Sequence, residues 1–190
     1  MPDEPEVLGL LALVLLQDSR RAARLDAAGE LVALEDQDRS RWNHQAIAEG
    51  VEVLHRALRR SRPGPYQLQA AIAACHATAA DAGATDWVQI AALYDQLARL
   101  APSAVVELNR AVAVAMADGP AAGLRLVDQL QASGRLAGYH RLPATRADLL
   151  RRLGRHREAA AAYREALQLV GSEAERRYLT RRLNQTSGPT

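Results

Sequence analysis

The chain has 190 residues, enough to bury a real core as one domain or as a domain with a small appendage. All 24 basic residues are arginine, Phe is absent, and the net charge is only +2. The single Cys75 excludes a disulfide within the chain, so nothing supports an oxidising compartment; its setting in AAIAACHA suits a small buried core residue.

The small net charge hides an asymmetry. Residues 1–50 carry 10 acids and 5 Arg, while residues 51–190 carry 12 acids and 19 Arg, leaving the front near −5 and the remainder near +7. A basic remainder can face nucleic acid or an acidic protein surface, but arginines on solvated helix faces are the simpler reading.

Pro5 marks a helix start, and the nearly all-round apolar VLGLLALVLL predicts a helix buried on most sides that runs on through Gln17 to Arg24. Its apolar run, Val7 to Leu16, is too short to span a bilayer, and it follows Asp3, Glu4 and Glu6 where a signal peptide would be positive. A cytoplasmic protein is the simplest inference. RLDAAGELVALEDQDRS then breaks the helical period: Asp26 to Gly29 is turn chemistry, and Leu31, Val32 and Leu34 suit a short extended arm or hairpin over the first helix. A second helix restarts near Asp38 or Ser40, either of which can cap it, with Trp42, Ile47, Val51, Leu54 and Leu58 facing inward. SRPGP, Ser61 to Pro65, ends it.

From Tyr66 onward the pattern repeats. The clearest unit is ATRADLLRRLGRHREAAAAYREALQL, where Ala147, Leu150 and Leu153 stripe one helix, Gly154 permits the turn, and Ala159, Tyr163, Ala166 and Leu167 stripe a second. Alanines at the crossing let the two backbones approach closely. This unit resembles the tetratricopeptide repeat, although Gly171 and Pro143 stand where that repeat has Pro and Trp. Stepping back along the chain, Val127 takes the place of Tyr163, with Ala111, Val114, Gly123 and Leu130 at matching positions; further back Tyr94 takes it, closed by Pro102. The earliest unit turns Ala70, Ala74 and Ala77 inward, and its connection to Trp87 is longer than the repeat allows. Three degenerate repeats result, and a helix from Ser172 to about Leu183 covers the open edge of the last. The expected fold class is therefore all-α: a tetratricopeptide-like helical-repeat solenoid over residues 63–190, with an N-terminal helical portion, residues 1–62, that carries a hairpin-like arm and packs on the repeats.

The order of PEVLGLLALVLL, SRRAARLDAAGELVALEDQDRSRWN, RPGPYQLQAAIAACHA, LNRAVAVAM and ADLLRRLGRHREA resembles the C-terminal extension of one group of bacterial extracytoplasmic-function sigma factors. The likeness runs from about Glu4 to Leu183, and LEDQDRSRW is its most specific segment. It implies a segment cut from a longer sigma factor, with Met1 an artificial start. The promoter-melting and helix-turn-helix regions would lie upstream. It also implies regulation of transcription initiation in cis, through contact with sigma domains or RNA polymerase, with DNA contacted by those upstream regions rather than by this chain.

Little in the sequence suits catalysis. His44, His55, His76, His140 and His156 are scattered, no HExxH or CxxC spacing occurs, and there is no phosphate-binding glycine loop or nucleophile elbow. No enzyme activity, metal, cofactor or membrane partner is expected. The densest polar constellation is Glu35, Asp36, Gln37, Asp38, Arg39 and Trp42, with Arg20, Arg21 and Arg24 nearby in sequence. It reads either as a docking or sensing surface or as a capped helix start whose acids favour the macrodipole and pair with Arg20 or Arg21. The repeat pattern places Asp148, Arg151 and Arg152 on the concave face, with Asn109 close to it, where a peptide or a helix could lie. Tyr66 begins the first repeat or caps its junction with the front. A free-standing peptide-binding adaptor is the alternative to the sigma-factor extension.

Overall fold

The computed structural model describes residues 4–59 and 63–186, and among them the fold is all-α, with nine α-helices and no strand. These are α1 (Pro5–Asp18), α2 (His44–Leu58), α3 (Pro65–Thr78), α4 (Trp87–Leu100), α5 (Ala104–Asp118), α6 (Pro120–Ala132), α7 (Arg141–Arg152), α8 (His156–Leu169) and α9 (Glu173–Thr186). Their starts follow local chemistry. Proline opens α1, α3 and α6, where its missing N–H would lack a partner anyway. The side chains of Asn43, Asp86 and Ser103 accept first-turn N–H groups of α2, α4 and α5. Gly154, at φ 73°, makes the expected turn between α7 and α8.

Contacts divide the chain into two compact units, one of residues 1–28 and 32–102, the other of residues 29–31 and 103–190. The division falls between α4 and α5, whereas the change in sequence pattern falls at residue 62. In the first unit α1 packs on both α2 and α3, and α3 on α4. Leu8, Ala12, Val53, Leu54, Ala57 and Ala70 form one core cluster, and Leu16, Ala23, Trp42, Ile47, Ala73 and Ala77 another. Gly9 lies so close to α3 that a Cβ there would sit 2.8 Å from the Gln67 backbone nitrogen. Glu6 adds a polar clasp: its carboxylate accepts from the Tyr66 and Gln67 backbone N–H groups at 3.0 and 3.2 Å, completing the start of α3.

Several expectations for the front are corrected here. α1 is not buried on most sides: Val7, Leu10, Leu11 and Val14 are 52, 42, 45 and 55% exposed, because α2 and α3 cover only its opposite face. The helix stops at Asp18 and gives way to a short 3-10 turn, Arg21–Ala23. The arm itself is hairpin-like as expected: across a turn in which Ala28 N–H donates to Asp26 Oδ1, Val32 N–H donates to the Arg24 carbonyl, and 3-10 turns follow at Leu34–Asp36 and Arg39–Arg41. Asp38 caps the second of these turns, and Asn43 rather than Asp38 or Ser40 starts α2. Leu58 points outward at 42% exposure. Ser61 and Arg62 of SRPGP lie outside the described residues.

In the second unit consecutive helices pair, α5 with α6 and α7 with α8, and α6 meets α7 as α8 meets α9. The sequence stripes become its core: Ala111, Val127, Leu130, Ala147, Leu150, Ala159, Tyr163 and Ala166 are all buried in one cluster. α9 covers α8 and buries Leu179. The α5–α6 crossing is the tightest: a Cβ on Gly123 would come within 2.4 Å of the Ala115 Cβ and 2.5 Å of the Ala111 carbonyl oxygen. Since the obstacles are backbone and a short side chain, Gly123→Ala must push the helices apart, a loss of about 1–3 kcal/mol in urea unfolding. A neutral result would mean that this crossing yields freely.

Candidate functional site

Two clusters of charged and aromatic side chains stand out, one in each unit. The first is organised by Trp42, 3% exposed, which ends the Arg39–Arg41 3-10 turn. The Arg39 guanidinium lies 4.5 Å from its ring centroid and that of Arg20 lies 6.0 Å away. Arg39 also donates to the carbonyl oxygens of His76 and Ala79 at 2.7 and 3.0 Å, so it caps the last turn of α3 from across the unit. Arg20 donates to Gln17 Oε1 at 2.5 Å. Burial, with help from the charges of Arg24 and Arg39, pushes the pKa of Arg20 down. His76 meets Trp87 edge to face, with centroids 5.0 Å apart. Burial, then the charges of Arg20 and Arg39, lower its pKa to about 4.

Around this centre the other front residues separate. Arg21 pairs with Asp18 at 2.8 Å on the surface, not with the acids of the LEDQD segment. Asp38 accepts from the N–H and hydroxyl of Ser40, which hold its carboxyl below the usual range. Glu35, Asp38 and Arg39 line an open depression of about 510 Å³ with Asp81 and Gly83, while Asp36 ends the neighbouring 3-10 turn. Tyr66, 43% exposed, sits in the first turn of α3, its N–H held by Glu6. Cys75 is half-buried rather than core, 3.5 Å from Gln89 Oε1, in a cleft of about 430 Å³ between α2, α3 and the start of α4. Burial raises its thiol pKa.

The second cluster centres on Asp148 of α7. Its two oxygens accept from Arg151 at 2.7 Å and from Arg152 at 2.8 Å. Burial works to raise the Asp148 pKa, but the two guanidiniums outweigh it and hold the carboxyl below its ordinary value. Arg152 also reaches Met116 Sδ of α5 at 3.3 Å. From α9 comes Arg182, which donates to the Tyr178 hydroxyl and stands close enough to be influenced by Asp148 and Arg151. Side chains of α5, α7 and α9 thus gather around Asp148: Met116 from α5, Arg151 and Arg152 from α7, and Arg182 from α9. Asn109 is exposed on α5. Behind the cluster Tyr163, 2% exposed, turns its hydroxyl toward Arg151 without a hydrogen bond of acceptable geometry. The contributions of Met116, Tyr178 and Arg182 were not read from the sequence. Their spacing along the chain carries no signal beyond the repeat itself.

Among the described residues no group of three or more His, Cys, Asp or Glu side chains is placed to hold a metal ion. A family model described as "Family of unknown function (DUF6596)" matches residues 1–58, which ends at the last residue of α2. A protein of Rhizobium meliloti (strain 1021), "Uncharacterized protein R00370", is 49% identical over 183 residues. That match covers 96% of this chain and 43% of the relative, so the chain spans less than half of the relative's length. No solved structure matches the chain.

The His76 environment gives a pH dependence with a definite sign. The unfolded imidazole takes a proton near its ordinary 6.5 and the folded one near 4, so the unfolded state binds more protons between these values. Stability is complete above pH 6.5 and falls as pH drops toward 4, by up to about 3 kcal/mol. Urea unfolding followed by tryptophan emission should show this slope, and His76→Gln should flatten it. An unchanged slope in that variant would assign the loss to other groups.

Proposed function

We propose that this chain is a non-catalytic, protein-interaction extension of an extracytoplasmic-function sigma factor that modulates transcription initiation through the sigma domains or RNA polymerase. The observation that carries the reading is the outer face of α1. Val7, Leu10, Leu11 and Val14 recur at i, i+3, i+4 and i+7, the spacing of a seam that another helix can bury, yet they are open to solvent. Each such side chain is worth about 1.5–3 kcal/mol when fully covered. The LEDQDRSRW resemblance supports the sigma-factor assignment, and the greater length of the Rhizobium relative is in keeping with further domains beside this segment. A cytoplasmic setting belongs to the same reading. No helix among the described residues is long and apolar enough to cross a membrane.

A free-standing adaptor that binds a peptide remains the second reading, favoured by the arginine cluster on α7. Transcription in vitro by a sigma factor carrying this segment separates the two. Removing the segment should change the level of transcription while leaving promoter preference intact, and Val7→Asp with Leu11→Asp should reproduce the change with helicity retained by circular dichroism. Unaltered transcription would favour the adaptor, and lost promoter selectivity would put DNA reading within the segment.

A further inference from the structure

The apolar residues left open on α1 are ordered symmetrically. Val7, Leu10, Leu11 and Val14, all exposed, are spaced three, one and three residues apart, so the seam reads the same from either end. Other exposed apolar side chains stand singly, as Val88 and Leu100 do at opposite ends of α4. The two ends of α1 differ in charge. Exposed Glu4 precedes its first turn, whereas its last turn carries the Arg24 guanidinium, which donates to the Gln17 carbonyl at 2.7 Å. Asp18 at that end is paired with Arg21. A helix face with a palindromic seam and unlike ends is complementary to a copy of itself turned end for end.

We propose that α1 pairs antiparallel with α1 of a second copy of this chain, about a twofold axis between Leu10 and Leu11. In that register Val7 of each copy covers Val14 of the other and Leu10 covers Leu11, so one patch serves as both halves of the interface. Glu4 then stands opposite Gln17 of the second copy, within reach of the Arg24 guanidinium held there. Symmetry forms that ion pair twice. A parallel pairing would instead set Glu4 against Glu4 and Arg24 against Arg24, which like charge disfavours. The seam is only roughly two turns long, so the dimer is weak and follows concentration rather than being permanent. The same face is the one offered above to the sigma domains or polymerase, and self-association withholds it from them. That consequence rests on the sigma-factor reading, whereas the pairing does not.

Sedimentation velocity of the full chain over a concentration series tests the pairing. A reversible monomer–dimer equilibrium is expected, and Leu10→Asp should weaken it about a hundredfold or more, because symmetry places the change in the seam twice. Leu10 is exposed in the single copy, so helicity by circular dichroism should be retained. Val88→Asp, at the exposed start of α4, should leave dimerisation unchanged. Mild oxidation of chains carrying Cys75→Ser reads the orientation: Val7→Cys mixed with Val14→Cys should give the mixed disulfide in excess over either self-linked species. A chain that stays monomeric throughout overturns the proposal, as does a dimer that Leu10→Asp leaves intact or a preference of the Val7→Cys chain for linking to itself. If the chain is monomeric while the α1 variants still alter transcription, the sigma-factor reading stands and only this inference falls. A dimer whose disruption leaves transcription unaltered removes that reading and keeps the pairing.

Discussion

Close approach of helix backbones is the constraint on which both units depend. Gly9 brings α1 onto the backbone of α3, and Gly123 brings α6 onto Ala111 and Ala115 of α5. Ala147, Ala159 and Ala166 do the same for α7 and α8, all at zero exposure. A chain without Phe must fill its core with alanine and leucine, and alanine-lined crossings succeed only when the helices nearly touch. Tyr163 is the large side chain that the closeness of α7 and α8 leaves room for. Its ring is enclosed, and only its hydroxyl is left facing a charged group.

Having only arginine as a base changes how the loops are fastened. Arg39 holds the final carbonyls of α3, Arg41 holds the Ala22 carbonyl, and Arg176 holds those of Leu167 and Val170 at the end of α8. A guanidinium can hold two carbonyl oxygens at once, which a lysine ammonium does with less directional control. Many of the charges that look like surface decoration in the sequence are therefore engaged in closing helix ends. Those around Asp148 differ, since their acceptor is shared and reachable from outside.

The helix pairs from α5 to α9 were legible in the sequence because small residues recur there at helical spacing and the recurrence itself repeats. That Asp148, Arg151 and Arg152 share one side of α7 followed from the same register. The front was read less well. An all-apolar helix gives no periodicity to say which side is covered, so the open face of α1 was invisible without its neighbours. Asp38, Ser40 and Asn43 are all good capping residues, and only the interposed 3-10 turn decides that Asn43 starts α2. Nor could spacing show that Arg39 would reach residues 76 and 79, or that Arg20 would join it at Trp42, because those meetings depend on tertiary packing.

The placement of the two tryptophans has a practical bearing. Trp42 and Trp87 both lie in the first compact unit, whereas Tyr139, Tyr163 and Tyr178 lie in the second, which has no tryptophan. Emission excited selectively in the indole band is thus a private optical reporter of one half of the chain, and any event confined to the other half passes in silence unless tyrosine is also observed. A spectroscopic melt that looks cooperative by indole alone describes the region holding α1 to α4; the tyrosine signal adds the other half, though Tyr66 and Tyr94 of the first unit contribute to it as well.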